Sequence, residues 1–342
     1  MRALRVFVTR FKRQKTEGTL LRNEVVSTSL TIDVYSKGRN LTAVTEFFLL
    51  GFQASKCLHF LLFCFLLVVY CGTICGNLLI ITLVSTSKNL HTPMYFFISQ
   101  LSISDILLTK DIVPNLLHIL LNNGGTITFI GCITQYYFFC ASEIFECLLL
   151  AVMSYDRYVA ICNPLHYSST MTMPFCVKLD VIAWCFSFSI AFITSVTSAM
   201  LKFCGANIID HFFCDINPLL DISCSDTLIV HLEIMLMGSP IIIIPPIVII
   251  VSYVKIIFAI LRIPSSTGRH KAFSTCSSHL IVVSIFYWTM FGVYIFPTQE
   301  QTFNTSKLLS LLYTAFTPFI NPLIYSLRNK DIRKAVMKIL NM

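Results

Sequence analysis

Long apolar runs separated by short polar segments recur seven times along the chain. A helix needs about 20 predominantly apolar residues to cross the hydrocarbon core of a bilayer. The first run extends from about Phe60 to just before Lys88 and contains no Asp, Glu, Lys or Arg. The second, about Pro93 to Leu117, carries Asp105, Lys110 and Asp111 and has the weakest membrane signature. The third runs from about Ile133 to Tyr158 and holds Glu143 and Glu146, and the fourth spans roughly Val181 to Leu201. The fifth lies between Glu233 and Lys255 with Pro240, Pro245 and Pro246 inside it. The sixth covers about Leu280 to Phe296, and the seventh lies between Lys307 and Arg328 with Pro318 and Pro322. Prolines suit membrane helices when neighbours satisfy the freed carbonyls. Ile332, Ala335, Val336, Ile339 and Leu340 then recur at helical spacing with Arg333, Lys334 and Lys338 between them, the pattern of a basic helix lying on the inner leaflet.

The pattern predicts an all-α membrane protein, a seven-transmembrane helix bundle with a short amphipathic helix after the seventh span. A six-span version with a re-entrant second segment is the alternative. Three regions follow: an extracellular amino-terminal segment over 1–58, the bundle over 59–328, and a cytoplasmic helix and tail over 329–342. Composition agrees with a lipid environment. The chain is 56% hydrophobic and 12% charged, whereas soluble domains carry about 25% charged residues.

The net charge of +8 changes the picture through its placement. Lys88, Arg157, Lys178, Lys255, Arg262, Arg269 and Lys271 lie at one set of helix ends, as do Arg328, Lys330, Arg333, Lys334 and Lys338. The other ends carry Asp215, Asp221, Asp226, Glu233 and Glu300, with Lys202 and Lys307 as exceptions. Basic residues of short loops stay in the cytoplasm, so the amino end is expected outside and the carboxyl end inside. This arrangement favours a membrane protein over a nucleic-acid partner. The basic stretch before Asn40 opposes that orientation, but it has no signal-peptide core. Asn40-Leu41-Thr42 is a glycosylation acceptor ahead of the first span and supports an external amino end; Asn304 is a second acceptor close to the seventh. Cys64, Cys71 and Cys75 sit in apolar runs and read as small buried hydrophobes. Cys132, Cys204, Cys214 and Cys224 flank polar loops and are disulfide candidates.

Ionisable groups within membrane helices face an interior or a cavity. Asp105 and Glu146 stand near the middle of the second and third spans, and Asn77 and Asn321 could add amide groups from the first and seventh. Two facing carboxylates share a proton, pair locally, or hold a cation such as sodium. No metal site with protein-ligand spacing stands out. Phosphate-loop, dinucleotide, zinc-protease and serine-nucleophile motifs are absent from the sequence, so an enzyme is not expected. A transporter would show an internal repeat, and none stands out. Asp156-Arg157 at the inner mouth of the third span reads as a snorkelling charge pair or as a latch on the cytoplasmic surface.

Leu90-His-Thr-Pro-Met-Tyr-Phe-Phe97, Leu101-Ser102 leading to Asp105, and Met153-Ser-Tyr-Asp-Arg-Tyr-Val-Ala-Ile-Cys162 occur in this order. Pro164-Leu-His-Tyr167, Lys271-Ala-Phe-Ser-Thr-Cys-Ser-Ser-His-Leu280 and Asn321-Pro-Leu-Ile-Tyr-Ser-Leu-Arg-Asn329 complete the series. From Asn40 through Leu340 the chain resembles the odorant (olfactory) receptors of the rhodopsin-like G-protein-coupled receptors, in their tetrapod-type branch. The resemblance implies a receptor for small, mostly hydrophobic odorants that activates a stimulatory heterotrimeric G protein and raises cyclic AMP, in the plasma membrane of olfactory sensory cilia. It implies disulfides Cys132–Cys214 and Cys204–Cys224. It assigns activation and G-protein coupling to Asp156, Arg157, Tyr158, Tyr253, Asn321, Pro322 and Tyr325, and the polar core to Asn77, Asp105 and Glu146. Ligand contacts are expected from Phe139, Cys140, Glu143 and Ile144 on the third span and Met237, Gly238 and Ile241 on the fifth. Tyr287, Phe291 and Tyr294 on the sixth and Thr314 on the seventh complete that set.

Three features depart from the family pattern. Glu143 adds a carboxylate at the expected cavity floor, where it could recruit an amine or donate a hydrogen bond. Trp288 stands where the family often has Gly, and would either narrow the bundle or face lipid. The basic segment before Asn40 exceeds the usual amino end. Beside the odorant receptor stand two other readings: a same-fold receptor for a non-volatile ligand outside olfactory tissue, and a transporter using the buried carboxylates.

Overall fold

The computed structural model describes residues 44–204, 207–294 and 303–340. Asn40 and the basic stretch before it lie outside the described residues, and so do the side chains of Tyr294 and Asn304. In chain order the elements are β1 (Glu46–Leu49), α1 (Lys56–Thr86), α2 (Pro93–Asn122), β2 (Gly125–Thr128), α3 (Phe129–Cys162), α4 (Pro164–Thr170) and α5 (Met173–Ala199). Then follow β3 (Ile208–Ile209), α6 (Ile216–Ile222), α7 (Leu228–Glu233), α8 (Ser239–Leu261), α9 (Ser266–Tyr294), α10 (Phe303–Leu311), α11 (Thr317–Arg328) and α12 (Lys330–Leu340). A π turn, Ile234–Gly238, joins α7 to α8, and another, Leu312–Phe316, joins α10 to α11.

Among the described residues, six helical segments are long and apolar enough to cross a membrane: α1, α3, α5, α7 through α8, the Cys276–Val293 part of α9, and Ser306–Ser326. The 30-residue α2 is as long, but it carries Asp105, Lys110 and Asp111. The helices overrun their apolar runs because caps set their ends. Ser55 accepts from the Leu58 amide at the start of α1, and Thr128 accepts from the Gly131 amide at the start of α3. Asn123 closes α2 in the left-handed region at φ 53°, and its Oδ1 accepts from His59 Nδ1 at 2.6 Å. Gly124 follows at φ +127°, a backbone conformation open to glycine, with the Phe48 ring where a Cβ would stand.

The outward faces are apolar. Phe60, Leu61 and Val68 on α1, and Ile244, Ile250, Phe258 and Leu261 on α8, are all more than half exposed. In water each would forfeit about 25 cal/mol per Å² of apolar area, a cost that lipid removes. Cys64, Cys71 and Cys75 belong to this outward face and are exposed, a correction to their expected burial. The reason is geometric: α1 packs against α2 and α11 through the opposite face, where Leu66, Val69, Thr73, Asn77, Ile80 and Leu83 are buried. Trp288 is 82% exposed, so it faces outward and does not narrow the bundle.

The all-α expectation misses one small feature. β1 pairs antiparallel with β2, Glu46 opposite Thr128 and Leu49 opposite Gly125, and parallel with β3, Phe48 opposite Ile208. Phe47 and Leu49 point inward and are buried. This short sheet ties the segment before α1 to the loop after α5. The Cys132–Cys214 bond fastens the same loop to the start of α3, with Cα atoms 5.5 Å apart, and Cys204–Cys224 closes it on itself.

Candidate ligand-binding and signalling site

The α3 helix runs past every part of the site, and its side chains order the description from the outer end inward. Near its start, Gln135 Nε2 donates to the Asp111 carbonyl at 3.0 Å, while Gln135 Oε1 accepts from the Cys214 amide at 3.0 Å. One side chain thus holds α2, α3 and the disulfide-anchored loop in register. A turn further on, the Phe139 ring meets Phe213 of that loop at 5.1 Å and Tyr313 at 6.0 Å.

Above this layer, Lys307 Nζ donates to the Gly51 carbonyl at 2.7 Å and to Asp210 Oδ1 at 2.6 Å. Lys307 is 1% exposed. His211 lies beside it, its ring 4.7 Å from those of both Phe212 and Phe213. Burial, with the Lys307 charge assisting, pushes His211 down to about 3, so it stays neutral at ordinary pH.

The residues expected to contact ligand fall into two layers. Phe139 and Cys140 belong to an outer apolar cluster with Phe213 and Tyr313. Ile144, Ile241, Tyr287 and Phe291 belong to an inner cluster. Tyr287 packs on Phe291 at 5.7 Å and donates to the Cys147 carbonyl at 3.5 Å. Glu143 stands on α3 between the two layers. Its Oε1 is buried and has no hydrogen-bond partner, and Glu146 and Asp215 lie within electrostatic reach. Met237 and Gly238 are half-buried in the first π turn. Thr314 is buried in the second and donates to the Ser310 carbonyl at 2.8 Å. Each π turn widens its helix by one residue at the level of the expected cavity, a distortion common at functional sites.

At mid-depth the polar residues converge. Asn321 Nδ2 donates to Asp105 Oδ1 at 3.1 Å and to Oδ2 at 3.2 Å. Glu146 is buried on α3 within electrostatic reach of Asp105. Two buried carboxyl groups this near one another repel when both are ionised, so the pair favours a shared proton or a cation. Asn77 is turned elsewhere: its Nδ2 donates to the Thr73 carbonyl at 3.0 Å and the Pro318 carbonyl at 3.1 Å. Pro322 has no N–H to offer the carbonyl four residues back, so Asn77 of α1 supplies the missing donor to α11.

At the inner end, Arg157 Nε donates to Asp156 Oδ2 at 2.8 Å, and a guanidinium NH₂ donates to the same oxygen. Tyr167 of α4 donates to Asp156 Oδ1 at 2.9 Å. Burial and the Asp156 charge raise the Tyr167 phenol, so it remains a donor. Both Asp156 and Arg157 are buried. Tyr253 of α8 shares a 2.7 Å hydrogen bond with His279 Nδ1, their rings stacked. Met94, Met153, Asp156, Arg157, His279 and Tyr325 enclose a cavity of about 10 Å³, room for no more than about one water. The inner end is therefore closed. Tyr95 OH donates to Asn329 Oδ1 at 2.9 Å and to Asp331 Oδ2 at 3.1 Å, pinning the junction of α11 and α12 to α2.

Sequence reasoning does not reach several of these partners. Tyr167 and His279 lie inside motifs quoted above, but nothing in one chain's pattern says they meet Asp156 and Tyr253. Lys307 reads only as an exception to the charge rule, and its burial against Asp210 and Gly51 has no signature in the sequence.

The family profile described as "Olfactory receptor" matches residues 63–342. The chain is 44% identical over 301 residues to Olfactory receptor 1468 of Rattus norvegicus, covering 88% of this chain and 96% of that one. It is 45% identical over 302 residues to Olfactory receptor 11L1 of Homo sapiens, covering 88% and 94%. In fold it is similar to squid rhodopsin, with a TM-score of 0.66 at 17% identity, covering 85% of this chain and 87% of that one.

Proposed function

The chain belongs to the olfactory receptor family of rhodopsin-like G-protein-coupled receptors, in the tetrapod-type branch, and from that premise we propose that it is an odorant receptor switching a stimulatory G protein to raise cyclic AMP. Members of this family are signal receptors and not enzymes. The proposal takes α2 as a seventh span beside the six apolar segments, with the amino end extracellular, glycosylated at Asn40, and the carboxyl end cytoplasmic. In it α12 lies on the inner leaflet, burying Ile332 while Arg333 and Lys334 stay exposed. The plasma membrane of olfactory cilia is the proposed location.

One observation carries the reading. The helix that presents Phe139, Cys140, Glu143 and Ile144 at its outer half ends, at its inner mouth, in the buried Asp156–Arg157 pair capped by Tyr167. A small molecule seated between the outer and inner apolar clusters would touch Tyr287 and Phe291 on α9 and Ile241 on α8 along with α3. It shifts the equilibrium only if these helices grip it more tightly when Arg157 is released towards a G protein. The mid-depth group of Asp105, Glu146 and Asn321 sits between the two ends and is the proposed seat of a sodium ion, exchanged for a proton as the state changes. No other cofactor is invoked.

The cavity residues are mostly apolar and aromatic, which selects small hydrophobic cargo. The buried Oε1 of Glu143, lacking a partner, adds a preference for molecules with an amine or a hydrogen-bond acceptor. The test is a cyclic AMP assay in cells displaying the full chain, challenged with a panel of hydrophobic odorants with and without amine groups. A dose-dependent rise from at least one member is expected. Surface-displayed receptor that answers none of them, yet moves a solute across the membrane, would favour a transporter.

A further inference from the structure

Beside the closed inner mouth, a groove opens along the inner ends of α3 and α8. Its volume is about 660 Å³, and it is lined by Tyr158, Cys162, Lys255, Phe258, Ala259 and Arg262. Two of these residues are cations and none is a carboxylate. Lys255 and Arg262 are separated by two helical turns, so both stand on one face of α8. Lys255 Nζ lies 5.3 Å from the centre of the Tyr158 ring, reaching across the groove from α8 to α3.

The lip of the groove is apolar. Val254, Ile257, Phe258 and Leu261 are 45–63% exposed, and such a strip at the end of a membrane helix needs hydrocarbon against it. Cationic wall and apolar lip therefore meet at one level. A soluble anion would satisfy only the first, and a neutral lipid only the second. A phosphorylated headgroup that carries acyl chains satisfies both.

We propose that this groove binds an acidic inner-leaflet phospholipid through its phosphorylated headgroup. Arg262 and Lys255 hold phosphate oxygens, Arg262 with its planar fork and Lys255 as a point charge. The acyl chains lie on Phe258 and Leu261. Binding draws Lys255 off the Tyr158 ring, so the lipid bears on the residue next to Arg157. The site rests on the cytoplasmic orientation proposed above.

The experiment uses the purified full chain in phosphatidylcholine nanodiscs, titrated with a phosphatidylinositol bisphosphate and read by native mass spectrometry. Lys255→Gln and Arg262→Gln should each weaken lipid retention about fivefold, and together about thirtyfold. Lys178→Gln, on an exposed part of α5, should change nothing, and the charge-preserving Lys255→Arg with Arg262→Lys should retain the lipid. Soluble inositol trisphosphate should compete poorly. Undiminished retention by the double glutamine variant overturns the site, and so does competition by the soluble headgroup as effective as by the lipid. If, in detergent free of acidic lipid, a carboxyl-terminal peptide of the G-protein α subunit loses affinity for that variant, the groove belongs to a protein partner instead. Undiminished retention with an intact odorant response refutes this site alone. Surface labelling of a tag inserted after Arg262 in unpermeabilised cells would refute the orientation itself.

Discussion

Glu143 shows how one residue can decide chemistry that the rest of its surroundings leave open. Phe139, Ile144, Tyr287 and Phe291 offer apolar area to any small hydrophobe, at about 25 cal/mol per Å² buried. Glu143 puts a buried carboxyl oxygen without a partner into that setting. Glu143→Gln keeps the shape and a hydrogen-bond donor but removes the capacity for charge. If an amine is held there, the variant should lose about tenfold or more in amine potency, the scale of a charge-assisted hydrogen bond, with neutral odorants and surface level unchanged. An unshifted amine dose curve would eliminate the anchor. The presence of Glu143 inside an apolar run is plain in the sequence. Its position between two apolar clusters is not, because that depends on where Tyr287, Ile241 and Phe213 arrive from three other segments.

At the scale of elements, the outer cap is held by contacts between segments far apart in sequence. β1 joins β2 and β3, Cys132 joins Cys214, and Lys307 joins Asp210 to the Gly51 carbonyl. His211 sits within this cap, its titration pushed down to about 3. An unfolded His binds its proton near pH 6.5. The folded cap therefore incurs no penalty above that value, and it loses stability as pH falls from about 6.5 towards 3. The slope approaches about 1.4 kcal/mol per pH unit. The thermal unfolding midpoint of the purified chain should fall between pH 7 and pH 5, and His211→Gln should flatten that fall. Equal pH slopes for the two proteins would place the acid sensitivity elsewhere. Of this cap only the Cys132–Cys214 pairing was expected, from the family resemblance; the strands and the Lys307 contacts were not legible beforehand. Four-residue and two-residue strands have too short an alternation to register, whereas the apolar runs of the long helices are unmistakable.

For the molecule as a whole, the question is how a ligand at one end is felt at the other. The inner end is closed by Asp156, which receives hydrogen bonds from Arg157 and Tyr167 together. Removing one partner of a buried ion pair costs about 3–5 kcal/mol, because the other charge is left without compensation. That cost falls on the closed state, where Arg157 is buried, more than on a state in which Arg157 meets a G protein. Asp156→Asn should thus raise cyclic AMP without ligand, several-fold after correction for surface level. Basal signalling that stays at the wild-type level in well-displayed protein would mean that the pair does not hold the receptor closed. Arg157→Ala should instead abolish the response, since it removes the group that is released.

The sequence by itself determined the solvent of this protein, its helices and the sidedness expected of it. Apolar runs of bilayer length and clustered loop cations are local properties, readable from neighbours along the chain. It also placed Asp105, Glu146 and Asn321 at a common depth, since depth follows from position within a span. The tertiary structure alone decided which of these groups meet. Asn77 left the expected polar core to serve the carbonyl freed by Pro322, Cys64, Cys71 and Cys75 turned outward, and Lys307 was buried against Asp210. Each outcome depends on the rotation of one helix against another. That rotation is fixed by packing between residues hundreds of positions apart, which periodicity within one helix does not encode.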